Sequence, residues 1–164
     1  MTCVIAATLA VICLAAPAQQ LPANILVPDV YRPAVAAMLR YSPTFRTQCN
    51  RLARRPDLQI VITTSLLPGM DRDEAVTRIV RRPNGAMEAD VQLGVLGDPV
   101  LLLAHEFEHI LEQLDGVDLV SMASRSATGV HQVPGSEHYE TDRAIAIGRR
   151  VADEVTRGRS RSGM

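Results

Sequence analysis

Residues Asp98 to Gly116 read DPVLLLAHEFEHILEQLDG, and the way this stretch folds decides how the rest of the chain must be arranged. Asp98 is a suitable N-cap and Pro99 a suitable first helical residue. Gly116 can end the helix in the left-handed conformation just past its last turn. Val100 to Ala104 supply apolar material for a buried helix. In its middle lies His105-Glu106-Phe107-Glu108-His109, an H-E-x-x-H pattern. Side chains four apart on a helix share a face, so both imidazoles can point at one metal ion while Glu106 stands beside the open coordination position.

Upstream, Asp57 to Thr64 (DLQIVITT) is rich in β-branched residues and reads as a strand, and Ala75 to Arg81 as a second, with a loop through Leu67-Pro68-Gly69-Met70-Asp71 between them. Arg82-Pro83-Asn84-Gly85 signals a turn. Met87 to Val95 then forms a third strand, placing Ala89, Val91, Leu93 and Val95 on one face and Glu88, Asp90 and Gln92 on the other. Further back, Arg32 to Tyr41 is a helix with Pro33 in its first turn, and Ser42-Pro43 opens a second helix from Thr44 to about Arg54. Arg46, Arg51, Arg54 and Arg55 there make a solvated basic face. Downstream, Asp118 to Ser124 holds a helical turn and Ser126 to Gly135 is loop. Ser136 caps a last helix, Glu137 to about Arg157, and residues 158–164 form a disordered tail. The expected class is α+β: a small twisted sheet of about three strands packed on the motif helix, flanked by N-terminal helices and a C-terminal helix that completes the site.

With 47% hydrophobic and 21% charged residues, the 164-residue chain has the material for one globular core. Seventeen basic residues, all Arg, against eighteen acidic ones give a net charge of -1, which offers nucleic acid or an anionic membrane no electrostatic purchase. Aromatics make up only 3%, too few for base-stacking platforms. Met1 to Gln20 (MTCVIAATLAVICLAAPAQQ) has the apolar run and the Ala16-Pro17-Ala18 cleavage pattern of a signal peptide spanning residues 1–18, although no Lys or Arg precedes the run. The expected mature domain is 19–157, secreted or periplasmic, with no integral membrane span once the leader is removed. Cys3 and Cys13 leave with the leader, so Cys49 remains as a single packed thiol that cannot form an internal disulfide.

Two imidazoles do not complete a catalytic metal site, which takes three protein ligands plus water. In the predicted last helix, Ala144, Ile147, Gly148, Val151 and Val155 form the inward stripe, and one turn back from Ala144 lies Glu140. Glu140 is therefore the expected third ligand, with His138, Glu137 and Asp115 as rivals. Asp115 would need a sharp turn at position 112, where the chain has Glu112. That Glu112 lies on the His face, free to hydrogen-bond a ligand or to be solvated, and His131 sits in the loop.

The pattern His105-Glu106-x-x-His109, with an acidic residue further on, resembles the zincin metallopeptidases, and within them the Glu-ligated gluzincin branch. The likeness covers about Leu58 to Val155 in order of elements. It implies a Zn2+ held by His105, His109 and Glu140, with Glu106 as general base, hydrolysing a peptide or protein substrate. Where that branch often carries an Asp four residues after its Glu ligand, this chain has Ala144, with Asp142 two residues earlier. Two functions are thus expected: an exported zinc-dependent hydrolase, or a non-catalytic exported domain that binds metal or a partner on the same fold.

Overall fold

The computed structural model describes residues 20–65 and 75–163. The expected leader and the loop Leu67 to Asp71 lie outside these residues. The alternation seen in the sequence becomes a twisted four-stranded sheet. Strands β1 (Ile25–Leu26), β2 (Leu58–Ser65), β3 (Ala75–Arg81) and β4 (Met87–Gly94) are ordered β1-β2-β4-β3. β1 and β2 are parallel, as are β2 and β4, whereas β3 runs antiparallel to β4. Leu58, Ile60 and Ile62 of β2 and Met87, Ala89, Val91 and Leu93 of β4 are buried on the face that the helices cover. Their neighbours Gln59, Glu88, Asp90 and Gln92 lie on the opposite, more accessible face.

The helical layer consists of α1 (Arg32–Tyr41), α2 (Pro43–Ala53), α3 (Pro99–Leu114) and α5 (Asp142–Ser162), with the short α4 (Leu119–Ala123) beside the site. α3 is the motif helix. Asp98 caps it by accepting from Val100 N, and Pro99 takes its first position as the sequence requires. It is surrounded by α1, α2, α5, β3 and β4. Phe107 stacks on Phe45 of α2, and α5 crosses close over α3 at Gly148, where an added Cβ would come within 3.0 Å of Leu101 O and 3.2 Å of His105 Cβ. α2 is capped twice. Ser42 accepts from Phe45 N, and Glu154 of α5 receives hydrogen bonds from the Ser42 and Thr44 hydroxyls and from Thr44 N.

Met87 to Gly94 is an internal strand, and the edge beside the motif helix is β3. Three expectations need correction. The sheet has four strands because Ile25 and Leu26 pair with β2, an addition too short to show as periodicity. The last helix starts at Asp142, not Glu137. Residues Tyr139–Thr141 form β6, paired antiparallel with β5 (Val130–Gln132) in a hairpin, with Thr141 capping α5 through Ala144 N. Ser136 spends its hydroxyl on the hairpin turn, donating to Val133 O and accepting from His138 N. Finally, α5 runs on to Ser162 where a disordered tail was expected. Gly158 lies so close to Tyr41 that a Cβ would sit 2.6 Å away, and the Ser160 and Ser162 hydroxyls return to carbonyls one turn back. No helix of the described residues is long and apolar enough to cross a membrane.

Candidate metal centre

Twelve of the sixteen residues of α3 are buried, and five of those are ionisable: His105, Glu106, Glu108, His109 and Glu112. Buried charges must be paired, and here they divide between two faces. On one, the Glu108 carboxylate receives the Arg143 guanidinium and the Gln48 amide, which joins α3 to α5 and α2. Asp115, the rival ligand at the helix end, belongs to that same network through Arg51 and Arg143 and points its carboxylate away from the imidazoles.

The other face holds the candidate site. His105 Nε2 lies 3.0 Å from His109 Nε2 and 3.3 Å from Glu140 Oε1, and His109 Nε2 lies 3.6 Å from the same Glu140 oxygen. Among the described residues this is the group of His, Cys, Asp or Glu side chains whose donor atoms converge as a metal would need. A tetrahedral zinc with ligand bonds of about 2.0–2.1 Å separates its donors by about 3.3–3.4 Å. The observed separations bracket that edge length. Two imidazole nitrogens and one carboxylate oxygen are also the donor types a zinc site uses. The residues present therefore fit the ion.

Electrostatics within the cluster are tightly linked. Burial alone would lower the pKa of His109, yet its hydrogen bond to Glu112, the Glu140 carboxylate 3.6 Å away and the Glu106 and Glu112 charges raise it to about 10. Burial would raise the Glu140 carboxyl, but its hydrogen bond to His105 and the nearby His109 imidazole hold it down at about 2. Glu106, 3% exposed, has its Oε1 4.0 Å from His105 Nε2. Burial pushes its carboxyl up, opposed by the nearby Thr77 hydroxyl and the charges of His109 and His105. Thr77 Oγ1 faces that carboxylate from β3, itself buried and short of full hydrogen-bond geometry with any described residue.

The cleft in front of the cluster, about 290 Å³, is walled by β3 (Ala75, Val76, Thr77 and Ile79), by Leu119 of α4 and by the hairpin residues Glu137 to Glu140. His138 and Glu137 are thus exposed wall residues outside the converging group. His131 faces solvent and pairs with Asp142. Cys49 is buried, and burial pushes its thiol up to about 12, which keeps it protonated and inert. Sequence reasoning missed Thr141, Thr77 and Arg143. Only Arg143 had a signal, since Glu108 in an apolar helix demands a cationic partner. Comparison with protein-family models, with curated proteins and with solved structures found no match.

Proposed function

We propose that this chain is an exported zinc-dependent hydrolase acting on peptides, of zincin-like design, with His105, His109 and Glu140 as metal ligands and Glu106 as general base. The observation that carries the reading is the set of three donor separations, 3.0, 3.3 and 3.6 Å, beside a buried Glu106 that opens on the cleft. Three protein ligands leave a position for water, which supports catalysis over a closed structural site. Export rests on the leader pattern in residues 1–18.

When bound, the metal supplies Lewis acidity and lowers the pKa of a neighbouring water toward neutrality. Glu106, a carboxylate in a low-dielectric wall, accepts the proton of the attacking water and returns it to the departing amine. β3 offers an edge with no strand beyond it among the described residues, directly along the cleft, so an extended peptide can add there as a further strand with its scissile carbonyl over Glu106. Ala75, Val76 and Ile79 give that wall an apolar character.

The decisive experiment compares the purified domain with Glu106→Gln and with His105→Ala/His109→Ala. The wild type should hold one zinc and cleave an unstructured protein substrate. Glu106→Gln should keep the zinc and lose about 10²–10⁴-fold in rate, and the double His variant should lose both. A wild type without stoichiometric zinc at neutral pH defeats the proposal.

A further inference from the structure

Glu112 lies on the His face of α3, 2% exposed, and serves two partners at once. One carboxylate oxygen is 3.1 Å from His109 Nδ1, and the other accepts the Thr141 hydroxyl at 2.8 Å. Thr141 accepts in turn from Ala144 N as the cap of α5, and its chain neighbour is Glu140. An ionised carboxylate only accepts hydrogen bonds, so the proton in the His109 contact resides on Nδ1. Nε2, which faces His105 Nε2 and Glu140, is then the nitrogen that can give up its proton and offer a lone pair to a metal. No carboxylate occupies the position four residues after Glu140, where Ala144 is fully buried.

We infer that Glu112 is the positioning residue of the metal site, fixing the tautomer and orientation of His109 while holding the strand that delivers Glu140. One helix thus supplies two ligands, the base and the orienting carboxylate. The third ligand is registered against them through the Thr141 hydroxyl. The inference rests on the reading of His105, His109 and Glu140 as metal ligands.

Zinc affinity, measured by competition with a chromophoric chelator, tests it on the purified wild type and on Glu112→Gln. The amide keeps the size of the side chain and can still face both partners, so the metal-free variant should melt within a few degrees of wild type. Its zinc affinity should fall by about 10–100-fold. Equal affinity within threefold, with the wild type binding zinc, overturns the inference and leaves the proposed function standing. A wild type that binds no zinc removes the proposed function itself. Should Glu112→Gln fail to fold, the wild type alone decides through 15N spectra of the zinc-loaded protein. His109 must show the metal on Nε2 and a retained, hydrogen-bonded proton on Nδ1, and metal on Nδ1 overturns the inference.

Discussion

His109 and Glu140 stabilise one another's charged forms, and this gives the metal-free protein a characteristic pH response. The His109 pKa is raised to about 10, so its contribution is complete below the ordinary value of 6.5 and is lost as pH climbs toward 10. The Glu140 pKa is depressed to about 2, so its contribution is complete above 4.5 and is lost as pH falls toward 2. Chelator-treated protein should therefore melt highest between about pH 4.5 and 6.5 and decline on both sides. Zinc, which replaces the proton on the imidazole, should abolish the alkaline decline. Thermal melts across pH with and without zinc check both limbs, and an alkaline limb that persists in zinc contradicts the assignment. At this scale the sequence was most informative where chemistry is local, since the spacing of His105 and His109 dictates a shared helical face. It was least informative for Glu140, which reaches the imidazoles from a strand although helical periodicity pointed to it. Helix and strand patterns cannot be told apart over so short a run as Tyr139 to Thr141.

Among the elements, α5 does more than cover α3. Its Glu154 carboxylate receives three hydrogen bonds at the N-terminus of α2 and a fourth contact from Arg150, and the first three lie where a helix dipole favours negative charge. Burial would raise its pKa, but the Ser42 and Thr44 hydrogen bonds lower it. Glu154→Gln should cost about 1–2 kcal/mol at neutral pH, measured by urea denaturation. The difference from wild type should vanish as pH drops below the carboxylate range, because the depressed pKa supplies stability only while the group is ionised. Gly148 sets how near α5 lies to His105. The contacts an added Cβ would make are to a backbone carbonyl and to the root of the His105 side chain, neither of which can swing aside. Gly148→Ala should lower both melting temperature and zinc affinity, whereas Ala152→Gly, on the same helix but away from His105, should lower melting temperature alone. Caps and strand alternation made most of these elements legible in advance. The exceptions are β1 and the β5–β6 hairpin, too short to carry a pattern, and the continuation of α5 to Ser162, which depends on Tyr41 packing against Gly158, a contact between residues far apart in the chain.

Across the whole molecule, the order of strands in the sheet could not be read from periodicity, because β3 and β4 each alternate in a way that suits edge or interior. Pairing decides it, and the result places β3 on the cleft. Arg78, which faces away from the helices on that edge, can serve as a control. Proline at Val76 removes a backbone donor from the strand along the cleft and should depress peptide cleavage while zinc content stays constant. Arg78→Ala should leave cleavage within about twofold, as expected of an exposed substitution away from the site.

The two chain segments that meet at the site lie far apart in sequence. An ion held as proposed by His109 and Glu140 would close a loop of about 30 residues that contains α4 and the hairpin, much as a disulfide would, in a protein whose described residues include the single buried thiol of Cys49. A cross-link closing a loop of that length is worth about 3–4 kcal/mol in lost chain entropy. Chelation should therefore release the 117–140 segment for proteolytic nicking, while the sheet and the long helices keep their amide protection.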